Sequence, residues 1–388
     1  MQELKIGIVG IGNMGFTHAR NILDGKIKGL HLTAVCDIDP MKQKRAETEL
    51  SGTAVFADYT AMICSGLVEA VIVATPHYLH PDIAIAAFQN GLHVLSEKPA
   101  GVTAAAVQKM NEAAAQSGKV FGIMWNQRTN PLFQKAYELV HSGRLGSPKR
   151  LVWIITNWYR TQSYYESASW RATWAGEGGG VLLNQAPHNL DLWQWIFGMP
   201  DEIYATCDVG KWHDIEVEDD AVINGYYKNG ATATFITSTG EYPGTNRLEI
   251  SGSKGKIVLE KGTLTLITTP EDERKFCYQC PDGFPRFETT EEVFRQEERE
   301  PGHNGILQNF TNAVLFGEPL LAPGTEGLKE ITLSNAAYLS AWTGKRIKLP
   351  PDPALFESLL RQRAETSALR KPTDQTADGQ PCRWQVRW

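Results

Sequence analysis

The chain has 388 residues, 42% hydrophobic and 21% charged, with a formal net charge of −6. At ~100–200 residues per domain this length suggests two or three domains, and charges of both signs are scattered, without the basic run that marks a nucleic-acid footprint. No window reaches the ~18 uninterrupted apolar residues of a membrane span, and six cysteines in so long a chain do not make a disulfide scaffold.

Strand and helix signals alternate over the first 125 residues. An apolar run from Lys5 to Val9 predicts a strand, followed by a glycine-rich turn and a helix ending near Gly25. Leu30 to Cys36 reads as a strand, and Pro40 to Leu50 as a helix with proline in its first turn. Ala70 to Ala74 is unbroken apolar, the pattern of a buried strand. A helix from Pro81 to Asn90, a strand from His93 to Leu95, a helix from Thr103 to Ser117 and a strand from Val120 to Trp125 complete the series. Such alternation predicts a doubly wound parallel sheet covered on both faces, an α/β domain over residues 1–125.

Beyond it, after a helix at Leu132 to Ser142, strands predominate from Lys149 to about Leu266, with turn signals such as Lys228-Asn229-Gly230. One strong helix, Leu182 to Phe197, interrupts them, and helices at Gly305 to Leu315 and Gly327 to Trp342 follow. Residues 126–350 therefore read as an α+β domain with a mostly antiparallel or mixed sheet. Residues 351–388 are polar and end in Arg383-Trp384-Gln385-Val386-Arg387-Trp388, a disordered tail or an arm packed on a partner subunit. Cys277 and Cys280 form a CxxC with no second ligand pair, so no metal is expected there. Met1-Gln2-Glu3 enters the first strand directly, with no secretory pattern, and a cytoplasmic location is expected.

Gly10, Gly12 and Gly15, with Asn13 and Met14 between them, form GxGxxG directly after the first strand and at the start of the first helix. The first glycine allows the tight turn, the second lets backbone approach a pyrophosphate, and the third lets helix pack on strand. Free N–H groups at the helix start then meet the phosphates. Asp37 closes the second strand 22 residues beyond Gly15, where an acid accepts hydrogen bonds from the adenine ribose. A carboxylate there repels a 2′-phosphate, which favours NAD over NADP; Arg45 nearby keeps NADP open.

Two further constellations carry chemistry. Glu97-Lys98-Pro99 follows the strand at His93 to Leu95, and ligands in such sheets bind beyond the carboxyl ends of strands. Lys98 is thus a candidate proton-handling or hydrogen-bonding group. Gly178-Gly179-Gly180 precedes Asn184, His188, Asp191 and Trp195, which share one face if the segment is helical from about Leu182; Pro187 fits only a first turn or a kink. His188 is the natural base for an alcohol oxidation, in which a hydroxyl proton must leave as the hydride departs.

The glycine turn, Ala74-Thr75-Pro76-His77-Tyr78-Leu79-His80, Glu97-Lys98-Pro99 and the Gly178–Asp191 segment together resemble the Gfo/Idh/MocA oxidoreductase family, from Lys5 to about Pro350. The resemblance implies a Rossmann domain followed by a domain whose open sheet supports a homodimer or homotetramer. It also implies that Lys98 assists catalysis and positions the substrate hydroxyl, that His188 is the acid/base, that Thr75, Pro76 and His77 line the nicotinamide side, and that Glu97 approaches the cofactor ribose. One departure stands out: many members carry Asp four residues before the histidine, and here Asn184 occupies that place, unable to take a proton.

Aromatic residues cluster between the two constellations: Trp125, Trp153, Trp158, Tyr159, Tyr164, Tyr165, Trp170 and Trp174, with Asn126, Arg128, Asn157, Arg160 and Arg171 among them. Flat apolar faces with polar tips suit sugar rings, although about half of such aromatics belong in a core. Asn126, Trp158, Tyr159, Trp170, Arg171 and Asn184 are candidate substrate contacts, and His303 and Asn304 open a later helix that closes the pocket. The expected activity is hydride transfer between NAD and a ring hydroxyl of a sugar, glycoside or polyol, with a glycoside 3-dehydrogenase as the narrower reading. An inositol dehydrogenase, a redox-neutral NAD-dependent glycosidase and a non-catalytic nucleotide-sensing regulator remain alternatives.

Overall fold

The computed structural model describes residues 3–286, 288–296 and 300–368. In chain order the first elements are β1 (Leu4–Val9), α1 (Asn13–Leu23), β2 (Leu30–Cys36), α2 (Pro40–Glu49), β3 (Ala54–Phe56), α3 (Tyr59–Ile63), β4 (Ala70–Val73), α4 (His80–Gln89), β5 (His93–Ser96), α5 (Ala104–Ser117) and β6 (Phe121–Ile123). The six strands form one sheet in the order β3-β2-β1-β4-β5-β6, every pairing parallel. This is the doubly wound order, whose switch point lies between β1 and β4, so the loops after those two strands flank the ligand crevice. β4 is buried along its whole length, as a strand covered on both faces must be. Helix starts follow local chemistry: Asp39 caps α2 ahead of Pro40 and Thr103 caps α5. β3 and α3 go beyond the expected series; three and five residues are too short to carry a periodic signal.

The chain continues through α6 (Pro131–His141), β7 (Pro148–Ile155), α7 (Gln162–Tyr165), α8 (Val181–Asn184), α9 (Pro187–Phe197), β8 (Glu202–Val209), β9 (Glu218–Tyr226), β10 (Thr232–Ser238), β11 (Asn246–Gly252), β12 (Gly255–Glu260), β13 (Thr263–Thr268), α10 (Glu273–Gln279) and β14 (Thr290–Arg295). α11 (Gly302–Phe316), α12 (Gly327–Thr343), β15 (Ile347–Lys348) and α13 (Pro353–Glu365) follow. β7 to β15 make a nine-stranded sheet in the order β14-β13-β12-β11-β7-β10-β9-β8-β15. Only β7 and β10 pair in parallel within it; the other pairings are antiparallel. β9 and β10 meet across the Lys228-Asn229-Gly230 turn, where Gly230 takes φ +87°. The mostly antiparallel sheet is thus present as expected.

The described residues form two compact units, one within Met1–Phe133 and Glu298–Thr332, the other within Gln134–Glu297 and Leu333–Trp388. The first unit thus takes in a segment after residue 297 as well as the consecutive residues up to 133. Local bonds give the reason for the first unit. Gly122 bridges to Pro323, the Ile123 N–H donates to Ala322 O at 3.1 Å, and Arg128, 1% exposed, pairs with Glu326. These draw the segment after residue 300 onto β6. In the second unit the polar stretch after Pro350, expected as a tail or arm, instead forms α13 capped by Asp352. Phe356 stacks on Trp342 with ring centroids 5.4 Å apart, and the Arg363 guanidinium lies 4.0 Å above the same ring. Arg383 to Trp388 lie outside the described residues.

Candidate active site

In the first unit the glycine turn has the geometry that its three positions demand. Gly10 takes φ +88°, and a Cβ there would stand 2.6 Å from Ala74 O. A Cβ at Gly15 would stand 1.9 Å from Gly10 O, so only glycine lets α1 pack this closely on β1. At Gly12 a Cβ would meet nothing within 4 Å, and no side chain caps the start of α1 there. The open space and uncapped N–H groups at Asn13, Met14 and Gly15 suit a pyrophosphate. Asp37, 7% exposed, braces the turn: its Oδ2 accepts the Ile11 N–H at 2.9 Å and its Oδ1 accepts the Asp39 N–H at 3.0 Å. Lys42 lies 3.3 Å from Oδ2. Arg45 turns to other partners, pairing with Glu49 at 3.0 Å and lying 3.7 Å over the Phe16 ring.

A buried polar cluster sits behind Lys98. The His18 Nε2–H donates to Glu97 Oε1 at 2.7 Å, and the Lys98 N–H donates to Glu97 Oε2 at 3.2 Å. Burial alone would raise the Glu97 pKa, but the His18 hydrogen bond and the charges of His18, His303 and Lys98 hold the carboxyl down at about 2. His303 packs its ring 5.6 Å from that of His18, and burial pushes its imidazole down to about 4, so it is neutral at physiological pH. His80 places Nδ1 2.7 Å from Pro99 O and Nε2 2.7 Å from Thr75 O, lacing the loop after β4 to the loop after β5; burial lowers its pKa. Thr75 Oγ1 and Asn126 Oδ1 are buried with no hydrogen-bond partner among the described residues. Pro76 and His77 follow Thr75 directly, and His77 is buried.

In the second unit the Gly178–Asp191 segment is not one helix. Pro187 opens α9 at its first position, since a proline inside a continuous helix loses a bond and clashes one turn back. Asn184 therefore ends the separate helix α8, and only His188, Asp191 and Trp195 share a face of α9. His188 is 2% exposed in that first turn. The glycine run has a packing cause: a Cβ at Gly179 would stand 2.2 Å from the Tyr338 hydroxyl, and one at Gly180 1.9 Å from Glu218 O. Glu218 accepts the Gly180 N–H and the Leu182 N–H, both at 2.9 Å, and the Tyr338 O–H at 2.7 Å. Burial raises its pKa to about 7.

Around this segment the structure brings together Trp170, Arg171 and Asn184, joined by Tyr164 of the aromatic cluster and by Glu177. Arg171 donates to the Tyr164 hydroxyl at 2.7 Å and lies 4.4 Å over the Tyr164 ring and 4.8 Å over that of Trp170. The Tyr164 O–H donates to Asn184 Oδ1 at 3.4 Å, and Asn184 Nδ2 donates to the buried carboxylate of Glu177. Trp158 is half-buried with an indole N–H that has no partner among the described residues. Tyr159 is 45% exposed and meets Tyr242 edge-on at 5.8 Å. Trp125, Trp153, Tyr165 and Trp174 are core residues, half of the aromatic cluster. Two residues beyond the sequence-based set stand out. His18 lies on the buried face of α1 with Gly15, Phe16, Ala19 and Ile22, where a histidine is itself a signal. Glu177, an acid directly ahead of a glycine run, is the other. Cys277 and Cys280 are free thiols, and no metal-ligand cluster occurs among the described residues. No helix among them is long and apolar enough to cross a membrane.

Comparison with known proteins adds to this geometry. The family described as an oxidoreductase family with an NAD-binding Rossmann fold matches residues 4–124, and the GFO/IDH/MocA C-terminal domain matches residues 133–258. The chain is 26% identical over 358 residues to the myo-inositol 2-dehydrogenase of Thermotoga maritima, covering 89% of this chain and 98% of that one. The WlbA dehydrogenase of Bordetella pertussis, solved with NADH and UDP-GlcNAcA, is 27% identical with a TM-score of 0.75 over 90% of this chain and 100% of its own. A levoglucosan dehydrogenase solved with NADH and levoglucosan shares the fold, with a TM-score of 0.74 at 20% identity over 90% of this chain and 100% of its own.

Proposed function

Because the chain belongs to the GFO/IDH/MocA family of NAD-binding oxidoreductases, we propose that it oxidises a ring hydroxyl of a sugar, glycoside or polyol to a ketone, or runs that reaction in reverse. The observation that carries this reading is the Gly10–Gly12–Gly15 turn, shaped for a pyrophosphate and followed across the switch point by Thr75 and Lys98. NAD supplies the hydride acceptor when bound. The chain's own residues handle the proton and the orientation. His188 is the proposed acid/base that takes the proton from the reacting hydroxyl, and Lys98 is the proposed group that assists catalysis and positions the substrate. Glu97, kept ionised by His18, holds the loop that carries Lys98. Thr75, Pro76 and His77 face the nicotinamide side, and Asp37 supports the ribose end.

Asn126, Trp158, Tyr159, Trp170, Arg171, Asn184 and His303 are the proposed substrate-side residues. The charge of Arg171 is already opposed by Glu177, 3.9 Å away, which favours a neutral sugar or glycoside over a sugar phosphate. Within that class a glycoside 3-dehydrogenase is the first reading, from the aromatic residues beside the glycine run. An inositol dehydrogenase is equally compatible, and the full-length similarity to a myo-inositol 2-dehydrogenase favours testing it alongside. A homodimer or homotetramer in the cytoplasm is part of the same proposal.

The deciding experiment mixes purified protein and NAD with free sugars, glycosides and inositols and follows NADH absorbance. A rise with one class supports the dehydrogenase and chooses the substrate class. Tight NAD binding with no rise for any overturns it in favour of the redox-neutral glycosidase or the regulator.

A further inference from the structure

The hydrogen bonds around Glu177 run in one direction, and that direction fixes an amide that no motif marks. Glu177 accepts the Ala172 N–H through one oxygen and Asn184 Nδ2 through the other, which leaves Asn184 Oδ1 to accept from Tyr164. The Tyr164 hydroxyl hydrogen is then committed to Asn184, because Arg171 also acts only as a donor toward that oxygen. Gln185, 3.1 Å from the same hydroxyl, must therefore present Nε2 to it. Its Oε1 consequently points the other way. That oxygen is fully buried and has no partner among the described residues, on a residue only 6% exposed. A buried acceptor without a donor is destabilising, a cost that a ligand O–H removes.

Position and strain agree with a ligand-facing role. Gln185 sits in the break between α8 and α9, three residues before His188. Glu177 grips the adjoining loop as well, accepting the Ala172 N–H at 2.6 Å, and Ala172 holds a left-handed φ of 58°. A non-glycine residue in that region is strained and persists only where its surroundings over-determine it. The loop bearing Trp170 and Arg171 is thereby locked to the same carboxylate that orients Asn184 and, through Tyr164, Gln185.

We propose that Gln185 is a specificity-determining residue whose side-chain oxygen accepts a hydrogen bond from a hydroxyl of the substrate. This rests on the polyol or sugar reading above and narrows it: the ligand presents an O–H donor at this point, and a carboxylate or a carbonyl there is rejected. Glu177 is the positioning residue behind it.

The test compares wild type with Gln185→Leu on myo-inositol, glucose, methyl glucosides and their mono-deoxy analogues. With the best substrate, Gln185→Leu raises KM about ten-fold with little change in kcat, as loss of a uniform binding contact does. For the one deoxy analogue that lacks the contacted hydroxyl, the two proteins have the same KM. Equal KM values for every compound, or a ten-fold difference that no deoxy analogue abolishes, overturn the proposal. Ligand-induced change in Tm reads the same contact without turnover, and Gln185→Met replaces Gln185→Leu if the latter does not fold. A panel that raises the wild-type Tm, with or without forming NADH, and raises the variant Tm less supports Gln185. Binding without NADH would overturn only the dehydrogenase reading. A panel that shifts both proteins equally, or neither, overturns the assignment.

Discussion

His18 on α1 donates a 2.7 Å hydrogen bond to Glu97 on the loop that carries Lys98, and both side chains are buried. The helix that begins at the glycine turn and the loop with the proposed proton-handling lysine are thus tied by one contact. Replacing His18 with Leu leaves a carboxylate buried beside an apolar group, a loss of roughly 3–5 kcal/mol. His18→Gln retains a donor and is expected to lose much less. Thermal melts of the two variants, with NADH binding measured on each, check this; equal melting of both would mean that the hydrogen bond to Glu97 adds no stability.

The same cluster predicts how acid weakens the fold. Glu97 has its pKa depressed from 4.5 to about 2, so its stabilisation is complete above about pH 4.5 and is lost as pH falls toward 2. His303 is depressed from 6.5 to about 4, so the unfolded chain takes up this proton first and stability falls between those values. Each slope reaches at most about 1.4 kcal/mol per pH unit. Glu97→Gln should flatten the lower window and His303→Gln the upper one in unfolding titrations. A variant whose pH dependence matches wild type in its own window would refute that assignment.

The glycines of the turn separate stability from binding. Gly15→Ala drives a Cβ to 1.9 Å from Gly10 O, and the backbone must shift, so the variant should melt well below wild type. Gly12→Ala meets nothing within 4 Å and should melt within about 1 kcal/mol of wild type, the scale of losing a preferred residue at a helix N-cap. It should nevertheless bind NADH at least ten-fold more weakly, because the new methyl stands where the pyrophosphate approaches. Normal NADH affinity in Gly12→Ala would place the phosphates elsewhere.

What was legible in the sequence follows from this contrast. Gly10 and Gly15 are demanded by backbone geometry within a few residues, so the turn, its flanking strand and its helix announce themselves locally. The parallel and mostly antiparallel sheets are legible for the same reason, through alternation and buried runs. Gly122 bridging to Pro323 has no local signature, so the return of the segment after residue 300 to the first unit is invisible in the chain. Pro187 did signal a break, yet a strongly apolar run on either side of it reads as one helix. Arg45 is near Asp37 in sequence, but Phe16 and Glu49 claim its guanidinium. Glu177, Tyr164 and Gln185 converge only through tertiary packing, and nothing in their spacing links them.

Asn184 gives the sharpest test of where the negative charge resides in the second unit. The family resemblance places an aspartate at this position, whereas here the carboxylate comes from Glu177, in contact with the Asn184 amide. Asn184→Asp sets two carboxyl groups against each other. Like charges at that range cannot both ionise, so the pair holds a shared proton and its upper apparent pKa rises. With the sign worked through, a raised carboxyl contributes stability at low pH that is lost as pH climbs through the folded-state value. Asn184→Asp should therefore melt near wild type at pH 5 and well below it at pH 8. Glu177→Gln combined with Asn184→Asp restores one carboxylate and one amide with their places exchanged, and it should recover most of the lost stability at pH 8. Thermal melts of the four proteins at both pH values form a double-mutant cycle. A coupling close to zero would mean that Glu177 does not hold Asn184, and the directional network that orients Tyr164 and Gln185 would lose its origin.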